Sequence, residues 1–141
     1  MNKIEVEGAE EQSDYCLIQE LRDCKRTTRT LFTSKDILIS GNFDNTVNIY
    51  KLFLEPKETE ISESGVTLPQ YELVRTFDIF ESFVYSVTYC HSKNLIAVGC
   101  KNGSIYILGL DSDFLQVIQD AHAKIVCSLS FFNNAEESIV F

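Results

Sequence analysis

The sequence predicts an all-β fold, and three observations carry that expectation. Apolar runs of four to seven residues, rich in Val, Ile, Tyr, Phe and Thr, recur along the chain, with the length and composition of half-buried strands. Turn formers separate them: Ser34-Lys35-Asp36, Asp44-Asn45, Ser92-Lys93-Asn94, Asn102-Gly103, Asp111-Ser112-Asp113 and Asn133-Asn134. No stretch sustains the 3.6-residue apolar stripe that an amphipathic helix requires.

In chain order, residues 1–14 carry one Lys against five acids, a net −4, with few large apolar side chains. They read as a disordered acidic leader. A strand expected at 15–21 precedes further strands expected near 28–34, 36–41 and 46–52. Residues 53–70 hold both prolines and a net −3, the composition of a long acidic surface loop. Strands resume near 71–77, 84–90, 95–99, 104–109, 114–119 and 125–131. Strict alternation through 83–89 would point Val84, Ser86 and Thr88 one way and Phe83, Tyr85, Val87 and Tyr89 the other. Asn102-Gly103 suits a tight hairpin because both residues accept positive φ.

The chain repeats itself. ILISGNFDNTVNIYKL (37–52) aligns without a gap over LIAVGCKNGSIYILGL (95–110) at an offset of 58, which places Gly41 on Gly99, Asp44 on Asn102, Val47 on Ile105 and Ile49 on Ile107. Residues 15–21 lie over 71–77 at an offset of 56, and 83–89 lie under 125–131 at an offset of 42. Without the acidic loop the unit is about 40 residues, enough for four strands and their turns.

This unit resembles the WD repeat, in which a Gly-His pair is followed four, seven and nine residues later by apolar strand positions. Ala121-His122 with Val126, Leu129 and Phe131 meets that spacing; Phe80 with Val84, Val87 and Tyr89 meets it without the His; Cys24 with Thr28, Leu31 and Thr33 is a weaker third copy. The turn Asp and the aromatic six residues later are Asp44 and Tyr50 in the first unit and are echoed by Asn102 and Leu108 in the second. Gly41, Asp44, Tyr50, Gly99, Asn102 and His122 are thus the structural repeat positions that the resemblance implies. With no Trp in the chain, the His–Asp–Trp network of a full repeat is never complete.

LIAVGCKNGSIYILGLDS and FLQVIQDAHAKIVCSLSF further resemble the second and third repeats of the phospholipase A-2-activating protein family, and residues 15–52 its first. The resemblance implies a partial WD-repeat β-propeller of about two and a half four-stranded blades over 15–141, with the ring not closed in this chain and 15–21 belonging to the last blade. A seven-bladed ring needs roughly 280–300 residues at about 40 per blade, so the chain is expected to supply under half. The blade faces left open would forgo on the order of 10 kcal/mol of burial, so residues 1–141 alone are expected to aggregate or stay loosely folded. The resemblance also implies a non-catalytic adaptor of ubiquitin-dependent protein degradation. Such an adaptor binds ubiquitin or ubiquitinated proteins and engages an AAA ATPase segregase through regions absent here. The alternatives are a WD scaffold of another pathway, in trafficking or signalling, and a small stand-alone all-β enzyme.

Charge and motif content point the same way. With 12 basic and 21 acidic residues, a net −9, the chain is a poor match for nucleic acid, which selects a basic surface. No signal-peptide core and no apolar run of about 18 residues occurs, so neither secretion nor a membrane is expected. The five cysteines (16, 24, 90, 100 and 127) show no C-x-x-C or zinc-finger spacing, which suits reduced thiols in a cytoplasmic or nuclear protein. No metal, cofactor or catalytic residue is expected: no Ser has a G-x-S-x-G context, the Asp111–Asp113 turn lacks a calcium loop's Gly and distal Glu, and 99–103 lacks the Gly-Lys-Ser/Thr of a phosphate loop.

The candidate partner-binding residues follow from the propeller resemblance, which gathers 22–27, 42–45, 78–83, 100–103 and 120–124 at one face. These supply Asp23, Lys25, Arg26, Phe43, Asp44, Phe80, Lys101 and Lys124, with Arg22 and Ile79 beside them. Because ubiquitin presents an apolar patch flanked by basic residues, Phe43 with Asp44 and Asp23 is the expected contact. The competing reading is that Phe80 fills the repeat's His position and is buried, and that the cations serve only solubility.

Overall fold

The computed structural model describes residues 16–54 and 69–132. Its regular structure is eight strands: β1 (Thr28–Ser34), β2 (Ile37–Asn42), β3 (Val47–Phe53), β4 (Gln70–Phe77), β5 (Val84–Cys90), β6 (Leu95–Cys100), β7 (Ile105–Gly109) and β8 (Leu115–Ile118). They form two antiparallel four-stranded sheets in sequential order, β1-β2-β3-β4 and β5-β6-β7-β8. Each expected strand from 28 to 119 is present. The leader and most of the acidic loop (1–15 and 55–68), and the expected second strand of a third blade at 138–141, lie outside the described residues.

The repeat is kept residue for residue in the pairing of the β2–β3 and β6–β7 hairpins. Ile37 faces Lys51 and Gly41 faces Val47 in the first sheet; Leu95 faces Gly109 and Gly99 faces Ile105 in the second, all at the offset of 58. The hydrogen bonds that frame the hairpins recur as well. Asn42 N–H donates to the Thr46 carbonyl (3.0 Å) as Cys100 N–H does to that of Ser104 (3.0 Å), and Leu52 N–H donates to Asp36 (2.8 Å) as Leu110 does to Asn94 (3.0 Å). Asn45 (φ 63°) and Gly103 (φ 85°) hold the same left-handed turn position, which Asn tolerates and Gly adopts without strain.

Each blade buries itself against the next. Ile37, Ile39, Val47 and Ile49 of the first sheet pack with Val84, Val87, Tyr89, Ile96, Val98, Tyr106 and Leu108 of the second in one core. The far face of the second sheet (Ala97, Ile105, Ile107) packs with Val126, Leu129 and Phe131. The glycines are the sockets. A Cβ on Gly41 would stand 2.6 Å from Val84 Cγ1, and one on Gly99 2.6 Å from Val126 Cγ1; 84 and 126 are related by the offset of 42 seen in the sequence. Arg75 on β4 ties the sheets from the outside, donating to the Leu110 carbonyl (2.8 Å) and, more loosely, to those of Gly109 and Ser112 (3.3 Å each).

Three expectations about strands are corrected. Alternation through 83–89 fails because the β5–β6 register shifts between Val84 and Ser86. This bulge makes Tyr85 the extra residue, so Val84 joins Val87 and Tyr89 in the core. Residues 16–21 form no strand; instead the Gln19 amide spans one residue of β4, donating to the Tyr71 carbonyl and accepting from its N–H (2.7 Å each). Residues 125–131 carry no strand pairing either, although Val126 is buried and its carbonyl accepts from Ser86 Oγ (2.9 Å). Val126 N–H does donate to the Cys100 carbonyl (3.2 Å), but a single backbone bond makes no ladder.

Candidate protein-docking surface

The first strand of each sheet starts, and the second ends, at the same end of the molecule, so the segments before β1 and β5 meet the β2–β3 and β6–β7 turns there. Backbone bonds pin them. Phe43 N–H donates to the Thr27 carbonyl (2.8 Å) and, one repeat on, Lys101 N–H donates to Phe83 (2.8 Å). His122 N–H donates to Gly103 (3.1 Å), and a Cβ on Gly103 would collide with the His122 carbonyl, so this position takes no side chain. The turns are braced internally: Lys25 N–H (3.1 Å) and Thr46 Oγ1 donate to Asp44, and Ser104 N–H donates to Asn102 Oδ1 (3.1 Å).

Three half-buried rings lie where the two sheets meet at this end. Phe43 stacks on Phe83 (centroids 4.8 Å, 21°) and tilts against Tyr85 (5.2 Å, 41°). Arg26 (5.4 Å) and Lys101 (5.3 Å) sit over Phe83, and Arg29 (5.3 Å) over Tyr85. All three cations are exposed. Tyr85 and Arg29 reach the rim because each is the extra residue of a bulge, in β5 and in β1 respectively; a bulged residue leaves the sheet face and is aimed elsewhere. The result is an aromatic patch with a cationic edge, built across the seam between the two blades.

The structure thus joins three of the predicted rim residues, Arg26, Phe43 and Lys101, and separates the rest. Phe80 is 4% exposed and meets Tyr106 edge-on (4.9 Å, 85°), so it fills the repeat's buried His position and is not a contact residue. Asp44 is held in its turn. Desolvation raises its pKa, but hydrogen bonds from Thr46 and from Lys25 N–H outweigh that and leave it below the ordinary carboxylate value. Asp23 turns to the far face of the first sheet and accepts from Tyr50 Oη (3.0 Å). Burial, and then that hydrogen bond and the Asp23 charge, push Tyr50 up to about 12. Both acids thus hold hydrogen bonds within the chain, Asp23 while remaining exposed. Lys25 and Lys124 are exposed, as is the side chain of His122, whose backbone makes the structural contact. Burial pushes the Cys100 thiol up to about 11.

In the sequence Tyr85 and Arg29 are strand positions, and Phe83 ends the rim segment 78–83 without being singled out. One signal was available: the repeat sets Arg29 against Tyr85 at the offset of 56, and a position that holds Arg in one copy is not facing the core. A separate cleft of about 320 Å³ opens on the far face of the first sheet, where Gln19, Asp23 and Cys24 overhang Leu38, Ser40 and Tyr50.

No family model matches the chain, and no curated protein matches it. Among solved structures, the fold is similar to the WD40 β-propeller domain of Doa1, with a TM-score of 0.56 and 22% identity over 80% of this chain and 34% of that one. The chain therefore spans about a third of the length of the structure it matches. The computationally designed Ika4 protein is 19% identical over 82% of this chain and 86% of that chain, with a TM-score of 0.42, a likeness too slight to bear on the fold. This chain is all-β, and its two antiparallel sheets, not closed into a ring, resemble part of a WD40 propeller.

Proposed function

We propose that the chain is a non-catalytic docking scaffold of the phospholipase A-2-activating-protein kind, binding ubiquitin or ubiquitinated proteins in ubiquitin-dependent degradation. The observation that carries the docking role is the seam of half-buried rings, Phe43, Phe83 and Tyr85, because aromatic side chains at a rim are the residues on which protein interfaces concentrate their energy. The ubiquitin reading rests on the repeat resemblance and on the fold likeness to Doa1, a member of that family. With Asp23 and Asp44 engaged internally, the apolar patch of ubiquitin would meet the rings themselves. Contact with an AAA ATPase segregase belongs, on this reading, to further regions of the protein, and its place is the cytoplasm or nucleus.

The test is titration of isotope-labelled ubiquitin with the complete protein and with a Phe43→Ala/Lys101→Ala double variant. Chemical-shift changes centred on the apolar patch of ubiquitin, weakened in the variant, are expected. Unchanged affinity in the variant removes this surface from consideration, and no binding at all removes the ubiquitin reading.

A further inference from the structure

We infer that Phe43, Phe83 and Tyr85, with Arg26, Arg29 and Lys101 over them, form a docking site for an acidic protein segment that carries an apolar side chain among its carboxylates. This goes beyond the scaffold reading and does not require ubiquitin.

The charges carry the argument. The chain holds 21 acids and 12 bases, yet among the described residues none of these three cations has a carboxylate in ion-pair range; the pair that does form is Arg22 with Glu20 (2.8 Å). Three of the twelve bases are instead gathered on two adjoining rings, each 5.3 to 5.4 Å from a centroid. A ring face orients a guanidinium or ammonium without neutralising it, so all three keep a full charge toward solvent. Carboxylates spaced along a peptide complement that edge, and the half-buried Phe43 and Phe83 offer an apolar side chain a place between them.

A nucleic acid is disfavoured by the same numbers. Nucleic-acid affinity comes largely from neutralising backbone phosphates with many cations; this patch offers three, and the net −9 of the chain repels a long polyanion. A short acidic peptide feels mainly the local charges, because fields beyond about 8–10 Å are screened at physiological salt.

Fluorescence anisotropy of the protein with a labelled peptide of Asp and Glu flanking one Phe tests the site. Binding that weakens with salt is expected, with a Phe→Gly version of the peptide weaker and a Lys-for-acid version silent. Arg26→Gln and Lys101→Gln should each cost roughly two- to fivefold in affinity, and Arg29→Gln, wholly on the surface, a similar factor. Circular dichroism melts equal to the parent's confirm that the variants fold, and Arg29→Gln serves alone if a double variant does not. The proposal is overturned if the acidic peptide does not bind, if the Gln variants bind it as well as the parent, or if an oligothymidylate of equal charge binds more tightly. Ubiquitin titrated in parallel separates the readings: peptide binding without ubiquitin binding sinks only the ubiquitin assignment, and the reverse sinks only this one.

Discussion

Val126 lies over Gly99 with its Cγ1 2.6 Å from the place a Cβ there would take, so the residue that opens the third unit is seated in the second by the absence of a side chain. Val84 and Gly41 stand in the same relation one unit earlier, at the same 2.6 Å. The contact is between backbone on one side and a β-branched side chain on the other, and neither yields cheaply.

Gly41→Ala or Gly99→Ala should therefore destabilise the protein by about 1–3 kcal/mol through overpacking. A fall in the urea midpoint without a change in slope would report it. Midpoints equal to the parent's would mean that the blades separate freely at this seam.

Arg75→Ala should cost about 1–3 kcal/mol, because the Leu110 and Gly109 carbonyls are left in a buried segment without their donor. Arg75→Lys should recover only part of that, since an ammonium on a flexible stem does not reproduce the planar fork. Thermal melts of the three proteins decide the order.

Tyr50 has its folded pKa raised from 10.0 to about 12, so the folded state holds the phenolic proton more tightly than the unfolded chain does. The stabilisation is complete below pH 10.0 and is lost as pH rises toward about 12. Tyr50→Phe should flatten the alkaline limb of stability in that window, as followed by urea denaturation across it.

Asp44 behaves with the opposite sign. Its folded pKa lies below the 3.8 of a free carboxylate, so its contribution is present above that value and fades as pH falls through it. Asp44→Ala should cost about 1 kcal/mol at neutral pH and leave a shallower acid limb in a pH series of chemical melts.

The outer face of the first sheet leaves Leu31 at 63% and Leu73 at 43% exposure, and apolar side chains that share one exposed sheet face favour association. The protein should therefore self-associate as its concentration rises, as sedimentation across a dilution series reads. A monomer at every concentration would contradict this.

How much of the site could be read in advance is clearest at three residues. Phe43 falls at the rim because the propeller resemblance gathers the turn after the second strand of each blade at one face, and the structure puts it there. Alternation sets Tyr85 on the same side as Val87 and Tyr89, and the structure separates them, because alternation counts residues along one strand and a bulge arises only when two strands pair. Phe80 carried two readings, contact or core, and burial against Tyr106 chose the second.

The sequence by itself determined the strands from 28 to 119 and the repeat that relates 37–52 to 95–110, since these depend on apolar runs and on a spacing of 58 that are already in the chain. Only the tertiary structure decided which large side chains meet at the seam. One extra residue in a strand reverses the facing of everything on one side of it, and where that residue goes is settled by the partner strand and the neighbouring blade, not by the strand's own composition.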